Sequence, residues 1–197
     1  HDILDIDFTK IYQGTKTDLI IWDFKQEHLF NDPFGVNKKK KKKKKIFISY
    51  SQKDISFKFT NGVEVKFIEG LKTHLKSLNR IGIAETWSDT DILAGEDWDE
   101  KIKAELADAD IILFLVSANL IATDYVWNEE MPLAKYHKEN KNTVIIPVIL
   151  NPCQWQSIPL FSEHNAVPHK GKPVTSFNNV EEAYNEIATK IRALIES

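Results

Sequence analysis

The sequence predicts an α/β three-layer sandwich, with a five-stranded parallel sheet, helices on both faces and a short strand-like extension at the N-terminus. Three observations carry the prediction. Apolar runs of strand length alternate with longer stretches whose apolar residues recur at helical spacing. Two of those runs, IILFLV and VIIPVIL, are apolar throughout, as strands covered on both faces must be. The runs are also far too short to span a bilayer, so no membrane span is expected.

Taken in order, DILDIDFTKIY and TDLIIWDF read as two strand-like segments joined through QGTK. Residues 1–37 hold too few apolar positions for an independent core. They read as the tail of an upstream domain or as an extra hairpin. Residues 38–45 are an unbroken run of eight lysines, a block that repels itself and resists packing. It reads as a solvated linker, with a patch for nucleic acid or anionic lipid as the other reading. Residues 45–197 form the main domain.

There IFISYS (Ile46 to Ser51) is a first strand ending in small polar residues. Val63, Phe67, Leu71, Leu75 and Leu78 then recur at helical spacing, with Gly82 as the stop. IAETWSD (Ile83 to Asp89) is the second strand, and a helix follows from Trp98 to Ala107. ADIILFLVS is the third strand, DYVWNEEMPLAK a helix, TVIIPVIL the fourth strand, PVTS a short fifth, and VEEAYNEIATKIRALI the closing helix. Strands alternating with helices imply right-handed crossovers and a flavodoxin-like sheet. Ligands in such sheets sit beyond the carboxyl ends of the strands, so the loops after Ser51, Asp89 and Ser117 should share one rim.

Composition narrows the chemistry. At 197 residues, 42% hydrophobic and 28% charged, the chain can bury an ordinary core. It opens on His1 rather than Met, which reads as a fragment of a longer protein. A single cysteine, Cys153, excludes an internal disulfide framework and a Cys-rich zinc site, and points to a reducing cytoplasm. The whole chain carries −3, and −11 once the eight lysines are set aside; so acidic a body argues against nucleic acid as the main partner.

Phosphate-cradling glycine motifs and a GxSxG elbow are both absent. His74, His137, His164 and His169 do not fall at metal-ligand spacing with carboxylates, so no metal is expected. A receiver-type phosphoacceptor needs an acidic pair after the first strand, where only Asp54 is present. In AGEDWDEKI, Asp97 can cap a helix with Glu100 completing a capping box, while Gly95 supplies a left-handed hinge to the loop. Trp87 and Trp98 flank that loop; each can pack in the core or offer an aromatic face to a ring.

DYVWNEEMPLAK places Glu129 and Glu130 side by side. On a regular helix Val126, Trp127, Glu130 and Ala134 share one face, and Glu129 sides with Tyr125, Leu133 and Tyr136. A carboxylate among Val, Trp and Ala is partly desolvated, which raises its pKa. By composition alone, a solvated helix face remains the other reading. Pro132 removes the amide that would bond the carbonyl of Asn128 and loosens the helix beside the pair.

The order of KIFISYSQKD, ETWSDTDILAGEDWDEKI, ADIILFLVSANLIATDYVWNEEM and VIIPVILNPCQW, followed by GKPVTS, resembles the Toll/interleukin-1 receptor (TIR) domain family in its bacterial form. The resemblance covers about residues 45–197. It implies a flavodoxin-like fold and, as in many members, cleavage of NAD+ at the nicotinamide–ribose bond by one glutamate. That glutamate lies in a W-x-x-E pattern followed by an apolar residue and, four on, a small one. Trp127, Glu130, Met131 and Ala134 match it, so Glu130 is the implied catalytic residue. Tyr50, Ser51, Trp87, Asp89, Trp98 and Trp127 are the implied NAD+ contacts, with NAD+ as substrate and no separate cofactor.

The resemblance also implies self-association through TIR–TIR contacts and an upstream sensor domain, in a defence or signalling protein. ISFKFTNG (Ile55 to Gly62) departs from the pattern as an insertion expected on the active rim, to cover the site or hold a partner. The alternative function is a non-catalytic scaffold, with the loop from Thr90 to Glu96 making homotypic contacts.

Overall fold

In the computed structural model, residues 42–58, 62 and 64–197 are described. The predicted N-terminal strand-like segments, the lysines up to Lys41 and Val63 lie outside them. The last of the lysines enter strand β1 (Lys44–Ser49), where Lys44 pairs with Asp110 at 2.9 Å and Lys45 with Asp108.

The main sheet has four parallel strands in the order β4-β1-β5-β6, with β4 at Ala84–Trp87, β5 at Ile111–Val116 and β6 at Val144–Ile149. Strand parity divides the core. Ile46 and Ile48 of β1 and Ile111, Leu113 and Leu115 of β5 face helices α1 (Phe67–Arg80) and α6 (Val180–Glu196). Phe47 of β1 and Ile112, Phe114 and Val116 of β5 face α2 (Trp98–Ala107), α3 (Ala118–Ile121), α4 (Met131–Lys141) and α5 (Pro159–Ser162). Ser49 shares the parity of Phe47 and therefore turns toward this second layer.

The predicted fifth strand is absent from the sheet. Val174–Ser176, within PVTS, is a 3-10 turn tied to the end of β6 by Thr175 N–H on the Leu150 carbonyl at 3.0 Å. The outer edge of β6 instead takes one residue, Val167, which accepts from Ile149 N–H at 2.9 Å and donates to the Pro147 carbonyl at 2.8 Å. Pro168, with no N–H, stops that pairing at once. Pro147 is tolerated inside β6 because odd-numbered residues of this strand direct their amides to the open edge, so its missing donor costs the ladder nothing.

Helix α1 also starts later than the helical spacing predicts. The helical spacing extends back to Val63, but Glu64–Lys66 is a strand, β3, pairing antiparallel with β2 (Ser56–Lys58). The inserted segment thus supplies one strand, β2, of this antiparallel pair. Phe57 packs against the α1/α6 core and stacks on Phe67, with ring centres 6.1 Å apart. Phe57, in the described part of the insertion, is thus partly buried on the α1 side of the sheet.

The remaining helices follow their caps. Asp97 accepts from Glu100 N–H at 2.9 Å to start α2, so the Asp97 half of the predicted capping box is present. Asn179 caps α6. Ser117 caps the short α3, accepting from Leu120 N–H at 2.9 Å.

Candidate functional site

The helix carrying the two glutamates is irregular where they sit. Val126–Glu130 forms a π turn, closed by Met131 N–H bonding the Val126 carbonyl five residues back, before α4 continues at Met131. Pro132 explains the widening. Its ring crowds the carbonyl four residues back, that of Asn128, and it has no amide to offer, so the turn opens by one residue. The extra residue goes outward. Trp127, Asn128 and Glu129 are exposed, while Val126, Glu130, Met131 and Ala134 are buried.

The two neighbouring carboxylates therefore sit in opposite surroundings. Glu129 reaches Lys103 of α2 at 2.9 Å on the surface. Glu130 is only 7% exposed, at the floor of a cavity of about 360 Å³ beyond the carboxyl end of β1. Phe47, Ile102 and Val126 line the same cavity. Burial pushes the Glu130 carboxyl up to about 7; the hydroxyl of Ser49, which donates to its Oε2, opposes the rise, and the negative charge of Asp89 adds to it. A carboxyl poised near neutrality can change protonation state during a reaction at physiological pH.

Around it the three predicted loops meet: Ser51 and Lys53 after β1, Asp89 after β4, and Asn119 and Thr123 after β5 all line the cavity. Tyr50 stands at the wall, its phenol pushed well above its usual range by burial and by Asp89. Gln52 donates to Asp89 Oδ2 and lies 3.5 Å from the Tyr50 hydroxyl. Asp89 Oδ1 is buried with no hydrogen-bond partner among the described residues. Asp54 is different. Its two oxygens accept from Ser117 Oγ and, at 2.7 Å, from Asn119 Nδ2, so it ties the β1 loop to α3 and has no open face for phosphate.

Of the residues singled out in the sequence, Glu130, Tyr50, Ser51, Asp89 and Trp98 come together here. Trp87 and Trp127 do not. Trp87 stacks on Phe47 at 5.3 Å and borders a separate hollow with Lys45 and Glu105. Trp127, expected on the buried face, is 48% exposed because the wide turn carries it outward. Sequence reasoning missed Ser49 and Tyr125. Strand parity is the signal for the first. Tyr125 donates to Asp99 at 2.7 Å and packs on Trp98 with ring centres 4.6 Å apart, joining the wide turn to α2.

A larger hollow, of about 750 Å³, runs along the open edge of β6 past Trp155 and Lys190, and no buried carboxylate lines it. Among the described residues no group of three or more His, Cys, Asp or Glu side chains is arranged to hold a metal ion. No helix among them is long and apolar enough to cross a membrane.

Comparison with known proteins gives three findings. The family model for the TIR domain matches residues 46–187. A Sinorhizobium fredii (strain NBRC 101917 / NGR234) chain called "Uncharacterized protein y4lF" is 37% identical over 147 residues, 75% of this chain. The match spans 42% of that relative's length. The TIR domains of the activated Roq1 resistosome directly recognizing the pathogen effector XopQ overlay at a TM-score of 0.43 with 16% identity. That overlay covers 74% of this chain and 84% of the other.

Proposed function

The chain belongs to the TIR domain family, and from that premise we propose that it is an NAD+ hydrolase whose working group is Glu130, releasing nicotinamide and leaving linear or cyclic ADP-ribose. The single observation that carries this reading is a buried carboxylate at the floor of a cavity, poised near neutral pH. Breaking the nicotinamide–ribose bond builds positive charge on the ribose. An ionised Glu130 stabilises that charge in a water-poor site, where electrostatic interactions are stronger than in bulk water. The same carboxylate then orients the attacking hydroxyl, of water or of the substrate itself, and takes up its proton.

The other lining groups fit such a substrate. Asp89 lines the cavity with a carboxylate that can accept from a ribose hydroxyl, and the exposed face of Trp98 offers a ring for stacking. Lys53 brings a positive charge to the mouth, where a dinucleotide's phosphates pass. At about 360 Å³ the cavity lies at the small end of ligand sites, roughly 300–1,000 Å³. It takes the nicotinamide–ribose end and leaves the adenosine outside.

The experiment is nicotinamide release from NAD+ at high protein concentration, comparing the wild type with Glu130→Ala. Release that is lost in the variant supports the reading; release that persists unchanged in it removes Glu130 from the chemistry.

One observation favours a second reading, a homotypic scaffold. Leu93, in the loop between β4 and α2, is 72% exposed and is flanked by the exposed Trp98. In that case the chain self-associates with increasing concentration, Leu93→Glu abolishes the association, and NAD+ is not consumed under any assembly condition. Self-association with NAD+ consumption joins the two readings, with assembly as the activating step.

A further inference from the structure

We propose that Ser49 is the positioning residue of this site: its hydroxyl holds Oε2 of Glu130 and leaves Oε1 as the oxygen that works. The inference rests on the reading of Glu130 as the working carboxylate. Ser49 lies near the end of β1, a strand flanked by β4 and β5, with its Cα in register with Phe114. Its neighbours of opposite parity, Ile48 and Tyr50, are locked in the α1/α6 core. A hydroxyl on such a strand has a fixed position. Glu130, in contrast, hangs from a π turn whose hydrogen-bond ladder is interrupted by Pro132. The Ser49–Glu130 hydrogen bond is thus a direct tie between the rigid sheet and the irregular helix.

Both ends of that tie are buried, Ser49 at 2% and Glu130 at 7% exposure. Buried hydrogen bonds to a charged acceptor are among the stronger ones, because the alternative is a desolvated charge with no donor. Oε1 receives no hydrogen bond from the described residues and is not among the buried, partnerless atoms. It is the oxygen a substrate in the cavity meets.

A donor to the ionised form also favours ionisation, so Ser49 acts against burial and against Asp89. The other titratable groups around the cavity are Tyr50 and Lys53 from the end of β1, Asp89 after β4, and Tyr125 from Glu130's own turn. From α2, Asp99 engages Tyr125 and Lys103 engages Glu129. Ser49→Ala changes none of these and adds no volume. Its effect falls on Glu130 alone.

The test is a titration of the Glu130 carboxyl by infrared difference spectroscopy against Glu130→Gln, without substrate, in the wild type and in Ser49→Ala. The midpoint is expected to rise by about one pH unit in Ser49→Ala. The acid limb of nicotinamide release should move by the same amount. Release then falls roughly tenfold at pH 6 and recovers above pH 9, and Ser49→Thr returns both curves toward the wild type. Should Ser49→Ala fold poorly, Ser49→Cys, a weaker donor, shows a smaller shift in the same direction. An unmoved infrared midpoint, or a uniform fall in release at every pH, overturns the proposal. If neither the wild type nor the variant releases nicotinamide, the NAD+ reading fails by itself, and the infrared midpoint still decides whether Ser49 governs Glu130.

Discussion

On one face of the sheet, α1 and α6 run unbroken for 14 and 17 residues, and they present Phe67, Leu71, Leu75, Leu78, Ile187 and Ile191 to the strands. On the other face, the same strands are covered by the ten-residue α2, the four-residue α3 and a π turn leading into α4. Buried polar groups gather around this second layer: Ser49, Ser117, Glu130 and His137. A long regular helix satisfies its own backbone and offers its neighbour a stripe of side chains, so its best use of that stripe is apolar packing. Ends and widened turns place side chains at angles a regular helix cannot reach, and leave backbone groups that need polar partners. One layer therefore holds the fold, and the other holds the buried carboxylate and its cavity at some expense of stability.

The sharpest way to break that division is Glu130→Gln. Activity should fall roughly 1,000-fold, within the range of general acid–base groups, while the fold gains stability. The sign follows from the carboxyl's shift from 4.5 to about 7. Below pH 4.5 the group is protonated in both folded and unfolded chains, and the substitution changes little. Between 4.5 and 7 the folded chain keeps a proton that the unfolded chain releases. Above 7 the wild type must carry a buried charge that glutamine never acquires. The variant's advantage in urea unfolding should thus be near zero at pH 4 and grow to about 3 kcal/mol by pH 8. An advantage over the wild type no larger at pH 8 than at pH 4 would mean that Glu130 is solvated, and the site would lose its physical basis.

The regular layer should show the opposite pattern. Leu75→Ala removes a fully buried side chain from the α1 face and should cost about 3 kcal/mol. Nicotinamide release per folded molecule should be unchanged. Gly70→Ala sharpens the point, because in an exposed helix interior it would stabilise by roughly 1 kcal/mol. Here an added Cβ would stand 2.6 Å from Cε2 of Tyr184, whose ring is fully buried against α1. The variant should lose about 2 kcal/mol, measured by thermal melting, as overpacked cores do. A neutral result would show that α1 and α6 slide apart easily, and that the regular layer is less rigid than its helices imply.

The difference between the layers also decides what the residues reveal in advance. The apolar strands are legible because period-2 parity and period-3.6 spacing are local properties; both long helices and the cap at Asp97 follow from them. The fifth strand is not legible: PVTS has strand composition, yet a single bridge at Val167 already occupies the far part of the β6 edge. The same holds for the pairing of 56–58 with 64–66, where Val65 suits a strand as well as a helix and tertiary packing chooses. At the site, helical spacing correctly separates Glu130 from Glu129 but also places Trp127 inside. Pro132 signals a distortion in the sequence, although not its direction, and one added residue in the turn sends the indole outward.

That distortion suggests the last substitution, Pro132→Ala, with the smallest expected effect. Alanine restores an amide and removes the ring that crowds the Asn128 carbonyl, so the turn is free to close to a regular one. Closure would have to absorb the extra residue by rotating everything on its N-terminal side, and Glu130 would swing off the Ser49 hydroxyl. Helix propensity favours this by up to about 3 kcal/mol. The burial of Val126, Met131 and Ala134 against the sheet resists it. The two nearly balance, so the melting temperature should rise by no more than a few degrees, while nicotinamide release drops roughly tenfold, equivalent to 1.4 kcal/mol. A variant with wild-type turnover would show that packing alone, without the proline, holds the turn wide. The irregular layer would then owe its shape to the same apolar contacts as the regular one, and Pro132 would be a consequence of the site rather than its cause.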